Sequence, residues 1–217
     1  GNVDLGIVLQ GQGTTGNRVE GNFLGTTIGG DAALPNNQGV VIGLGASGNQ
    51  IGGASAGRGN LISGNTNFGV WLSAETTTGN QVLGNAIGTD FSGAGAIPNY
   101  HGIIVAGSSD NQIGDARDGA GNLISGNELA GIRLEYLNAP GNRVFGNRIG
   151  TDAAGMAAVP NFYGVLLVKA VGNSIGGPAL GAGNLIGGNL QEGIHIESGS
   201  NQNLVQGNII GANGTGD

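Results

Sequence analysis

The sequence has no cysteine in 217 residues, which excludes disulfides and thiolate metal sites. Charge is scarce as well. Only 10% of residues are charged, and seven Lys and Arg stand against fourteen Asp and Glu, for a net charge of −7. So few scattered cations cannot track a phosphate backbone, and nucleic acid is not an expected partner. No run of about 18 apolar residues occurs, so membrane insertion by a helix is not expected. With five prolines, the 49 glycines cannot be collagen repeats. They do not mark disorder either, because 38% of the chain is hydrophobic and the apolar residues recur in order. Aromatic residues make up 4% of the chain, so where they fall is informative. The chain begins at Gly1 without a methionine and stops at Asp217, part-way through a repeat. One domain over residues 1–217, as a segment of a longer solenoid or a unit that stacks end to end, is the expectation.

The order lies in the repeats. A glycine followed by an aliphatic triplet begins at Gly6, Gly39, Gly69, Gly102, Gly131, Gly164 and Gly193. Long and short intervals alternate. Two further apolar motifs, each opened by Asn, follow inside every unit: Asn17-x-Val19 and Asn22-x-Leu24 in the first, Asn80-x-Val82 and Asn85-x-Ile87 in the third. These segments are short, β-branched and bounded by Gly and Asn, so they read as strands and turns. One coil of three short strands cannot bury its apolar face. Stacked coils can, because each strand pairs in parallel with its copy one turn later, roughly 4.8 Å away. The fold class expected is an all-β, right-handed parallel β-helix of about seven coils with three short strands per coil. Residues one and three after each glycine, such as Val40 and Ile42, point inward. Asn suits the left-handed corners, and in register its amide can bond to the next Asn along the stack.

The strings GNLISGN at 59–65 and 121–127, GNLIGGN at 183–189, IGTDFSGAGAIPN at 87–99 and IGTDAAGMAAVPN at 149–161 resemble secreted right-handed β-helix repeat proteins of the pectate-lyase-like superfamily. They look most like the Gly/Asn-rich repeats of bacterial surface proteins. The resemblance covers essentially the whole chain. It implies an extracellular or cell-surface location, and a fold that carries lyases, hydrolases, epimerases and adhesins alike.

Three groups of residues are candidates for function. The first is an aromatic edge beside the first strand of each unit: Phe68, Trp71, Tyr100, His101 and Tyr163. Such a stripe can stack on sugar rings or meet a partner, unless loops of the longer coils fold over it. The second is Arg133, Glu135, His195 and Glu197. The two glutamates fall in one outward column, two coils apart, and could act as the carboxylate pair of a glycosidase. A solvated charge patch is the competing reading. The third is Thr89-Asp90 and Thr151-Asp152, where repeated Asp in a Gly-rich loop could bind Ca²⁺. The two copies lie too far apart to share an ion, and Asx-turn capping is the favoured reading, with no metal or other cofactor expected.

Regular coils without long cleft-walling loops point to a non-enzymatic structural or adhesive module: a stiff spacer, a surface display element or a filament building block. The alternative is a carbohydrate-active β-helix, either a polysaccharide-binding module, a lyase or a glycoside hydrolase. The expected partners are a polysaccharide or another copy of the chain end to end.

Overall fold

Alternation along each short strand sends one aliphatic set inward, and stacking turns those sets into a core. The computed structural model describes residues 1–137 and 139–215. Among these residues are three parallel sheets, each of seven strands, and consecutive strands always go to different sheets. The first sheet has the longest strands: Leu5–Gln10, Gln38–Gly43, Phe68–Ser73, His101–Ala106, Ala130–Glu135, Tyr163–Val168 and Ile194–Glu197. Strands of the second sheet, Arg18–Val19 to Leu204–Val205, and of the third, Phe23–Leu24 to Ile209–Ile210, span two or three residues each. This is the right-handed parallel β-helix expected from the repeats.

The register is that of the sequence motif. Ile7, Val40, Val70, Ile103, Ile132, Val165 and Ile194 follow one another across the first sheet. Each inner coil contributes two aliphatics from this sheet and one from each of the others. Val40, Ile42, Ile51 and Ile62 are all fully buried, as are Ile103, Val105, Ile113 and Ile124 one super-repeat later. No coil could bury these groups alone, so the coils stabilise one another through contact with their neighbours.

Three asparagine ladders run the length of the tube, one at each corner. Asn49 shows how a rung works. Its backbone N–H and its Nδ2 both donate to Asn80 Oδ1 at 3.0 and 3.1 Å, while Nδ2 also donates back to the carbonyl of Thr14 at 3.0 Å. The same pattern passes from Asn80 to Asn111, Asn142 and Asn173. The second ladder runs through Asn60, Asn85, Asn122 and Asn147. The third includes Asn65, Asn99, Asn127 and Asn161, and its sequence signal is the Asn of the Pro-Asn strings and of the GNLISGN strings. All of these side chains are buried. Matching every donor and acceptor removes the penalty of roughly 1–3 kcal/mol that each orphaned buried group would carry.

The alternating long and short intervals have a structural cause that the interval lengths conceal. Odd-numbered coils insert a small hairpin after the third strand, closed by bridges such as Thr89 to Ala96 and Thr151 to Ala158. Even-numbered coils insert a loop between the second and third strands, over residues 53–60, 115–122 and 177–184. The hairpins stack on each other across two coils: the Phe91 N–H donates to the Gly30 carbonyl at 2.9 Å, and the Ala153 N–H to that of Gly93 at 3.0 Å. The two rows of insertions flank the outer face of the third sheet.

Candidate functional site

The outer face of the first sheet is set by the same alternation that builds the core. One outward row reads Val8, Val41, Trp71, Ile104, Arg133, Leu166 and His195 across the seven strands. Large and small residues alternate along it. Ile104 and Leu166 are therefore buried between taller neighbours, while Trp71, Arg133 and His195 remain half-buried. The loops expected to cover this row do not. Gly30, Gly93 and Gly155 of the hairpins lie against Leu61, Leu123 and Leu185 of the third sheet instead.

Two aromatic clusters stand on this face. Phe68 meets Trp71 edge-on at 5.6 Å between ring centroids and His101 at 5.9 Å, and Tyr100 meets His101 at 5.0 Å. Farther along the stack, Phe162 meets Tyr163 at 4.9 Å, and Tyr163 meets His195 at 5.3 Å. The structure thus brings the sequence-predicted aromatics together in two groups rather than one stripe. Between them sits the Arg133–Glu135 ion pair, 2.8 Å from Nε to Oε2 and half-buried, with side chains 28% and 17% exposed.

His101 needs a correction. It was expected to face a ligand, but it is 2% exposed, beneath Phe68 and Tyr100. Its Nδ1 accepts a hydrogen bond from the Ala130 N–H at 3.3 Å. Burial, aided by the charge of Arg133, pushes its pKa down to about 4. It is a neutral support for the aromatic cluster, not a contact surface. The surrounding residues explain the error: Gln38, Phe68, Ala130 and Tyr163 share its register position, and the rings of Phe68 and Tyr100 close over it.

The charged candidates fall into two groups. Glu135 is held by Arg133 on its own strand. His195 lies between two carboxylates, with Nδ1 3.4 Å from Glu192 and Nε2 3.7 Å from Glu197. Leu166 and Val168 of the intervening strand separate the groups. Two strand spacings put the backbones of Glu135 and Glu197 roughly 10 Å apart. Glu192 was not anticipated. It lies outside the strand motif, and only the path of the preceding turn brings it to the imidazole.

The Thr-Asp motifs are turn caps. Asp90 Oδ1 accepts bonds from Ser92 Oγ at 2.7 Å and from the Ala94 N–H at 3.2 Å. Asp152 Oδ1 accepts from the N–H groups of Met156 and Ala157 at 2.7 and 3.2 Å. The Asp152 bonds hold its pKa below the usual carboxylate value. This is the Asx-turn role favoured on sequence grounds.

Sequence reasoning missed the groove over the third sheet, and the signal was available. Asn17 to Asn22 and Asn80 to Asn85 are five residues apart, whereas Asn49 to Asn60 and Asn111 to Asn122 are eleven apart. The insertion therefore changes place from coil to coil rather than simply changing length.

No family model and no curated protein matches the sequence. One solved structure is similar, a double mutant of the periplasmic alginate epimerase AlgG. The match has a TM-score of 0.48 and 18% identity, and covers 95% of this chain and 36% of that chain. This chain therefore spans about a third of the length of the protein it matches. By its description that protein is an epimerase, which stands against the expectation of a non-enzymatic module, but its activity is not carried over to this chain.

Proposed function

We propose that the chain is a carbohydrate-active β-helix that holds a polysaccharide along the outer face of its first sheet. The observation that carries this reading is the arrangement of that face: two aromatic clusters, around Trp71 and Tyr163, on either side of the Arg133–Glu135 ion pair. Rigid rings on a sheet offer stacking area at little entropic cost, and a few polar groups between them fix orientation. From Trp71 to His195 the row crosses four strand spacings, roughly 19 Å, which suits an extended polymer rather than a small molecule. Glu197, beside His195 and more exposed than Glu135, is the residue we assign to moving a proton on a bound sugar. The resemblance of the repeats to secreted β-helix proteins supports a location outside the cell or on its surface.

Affinity electrophoresis against a panel of neutral and acidic polysaccharides tests the reading. At least one polymer should retard the protein, and Trp71→Ala should weaken that retention about tenfold, as expected for loss of a stacking aromatic. Product analysis on the retained polymer should show turnover that Glu197→Gln abolishes. Failure of every polymer to bind, or undiminished binding by Trp71→Ala, would overturn it.

A further inference from the structure

The insertions that distinguish odd from even coils build a second elongated site. The floor is the outer face of the third sheet, where Leu61, Ala86, Leu123, Arg148 and Leu185 follow one another in register. Loops of the even coils form one wall and hairpins of the odd coils the other. Three hollows of about 430, 240 and 420 Å³ succeed one another along the helix axis. They are continuous: Gly84, Ala86 and Phe91 line the first and second, and Gly121 and Arg148 line the second and third.

The middle hollow combines two features. Phe91, on the hairpin wall, is 69% exposed and is backed by Phe23 at 5.4 Å between ring centroids. Holding a large apolar ring in water is unfavourable unless something covers it. Arg148, on the floor, is exposed and has no ion-pair partner among the described residues. Its Nε lies near the turn of the next hairpin, 3.6 Å from where a Cβ on Gly155 would sit. By contrast, Arg117 in the adjoining hollow is tied to Asp115 by bonds of 3.0 and 2.8 Å, and Asp118 lies beside it. An anionic ligand group would therefore be repelled at that end and received at Arg148. A stacking ring and a guanidinium with no ion-pair partner among the described residues suit a sugar ring bearing a carboxylate, which the planar guanidinium can bind in bidentate fashion.

We infer that this groove binds a strand of a carboxylated polysaccharide running along the helix axis, with a ring against Phe91 and its carboxylate on Arg148. The inference rests on the carbohydrate-active reading above but uses a different face of the molecule, and none of Trp71, Arg133, Tyr163, His195 or Glu197 takes part.

Amide NMR of the intact chain, titrated with hexasaccharides of galacturonic, mannuronic and glucuronic acid and with their carboxyl-reduced forms, reads the two faces separately. The expected result is a set of shifts around Phe91, Leu123 and Arg148 with at least one acidic hexasaccharide and none with its reduced form. Arg148→Gln, at an exposed position that should not affect folding, should weaken this response tenfold or more while responses around Trp71 persist. Phe91→Ala should weaken it similarly. Shifts confined to the first sheet would overturn the groove assignment and leave the proposed function standing. Equal response of the groove to the reduced sugars would overturn the carboxylate assignment. Silence on both faces would overturn the groove inference, and the proposed function with it if every polymer of the wider panel also failed to bind.

Discussion

Buried polar side chains in this molecule are accommodated in two different ways. The ladder asparagines have every donor and acceptor matched by neighbouring coils, so they contribute order without a penalty. His101 has one such bond, from Ala130, and stays neutral because burial and the nearby Arg133 both oppose a second positive charge. The consequence for stability has a definite sign. An unfolded histidine takes up a proton near pH 6.5, whereas His101 in the folded chain does so only near 4. Between those values the unfolded chain binds more protons, so stability is complete above about pH 6.5 and falls as pH drops toward 4. The shift corresponds to at most about 3 kcal/mol. Urea unfolding between pH 7.5 and 4 should show the wild type losing about 2–3 kcal/mol more than His101→Gln, whose amide oxygen can still accept the Ala130 bond. Parallel pH profiles would mean that the imidazole is not buried in solution. The aromatic sequence pattern identified His101 as part of the edge. It could not show which ring in a cluster lies underneath, because that depends on the sizes of residues about 30 positions away, such as Phe68 and Ala130.

The hairpins of the odd coils pack closely at one glycine each, Gly30, Gly93 or Gly155. Gly93 has φ of +72°, and a Cβ there would lie 2.8 Å from the Ala153 Cβ and 2.9 Å from Leu123 Cδ2. Gly93→Val therefore combines left-handed strain with a steric clash, and should cost about 2–4 kcal/mol. Gly107 has a similar φ of +69° but open space around it, so Gly107→Ala should cost only about 1 kcal/mol. Hydrogen exchange separates the two effects. In Gly93→Val the Ala153 amide, which bonds to the Gly93 carbonyl, should exchange much faster, while amides of the first sheet stay protected. Unchanged protection at Ala153 would mean that the wall does not rest on this contact. The strands were legible in the sequence because each carries its own period-2 pattern, and the corners because Asn and Gly mark them. The walls were not read, because their packing joins residues about 60 positions apart, such as Gly93 and Ala153. No local pattern records that pairing.

Two periods therefore coexist in the molecule, and they can be separated by deletion. The core and the ladders repeat every coil, so any coil can in principle sit on any other. The insertions repeat every two coils and occupy two coil heights, roughly 10 Å. Gly119 of one even-coil loop already lies so close to the loop before it that a Cβ would be 2.4 Å from the Ala54 carbonyl oxygen, and Gly181 stands in the same relation to Ala116 at 2.6 Å. Removing residues 69–130 takes out one odd and one even coil and keeps the alternation. Removing only residues 69–101 takes out an odd coil and sets two even-coil loops one strand spacing apart, where they collide, while the hairpins lose their stacking partner. In a solenoid whose stability is a sum over neighbouring coils, the chain with more coils should be the more stable. Here the order should invert: the shorter chain, with its walls in phase, should have the higher urea midpoint. The circular dichroism of both should remain that of β-structure, because the core register is intact in each. A higher midpoint for the single-coil deletion would show that the walls are ornaments on the tube rather than part of what holds it together. It would also remove the structural basis for a preformed groove over the third sheet.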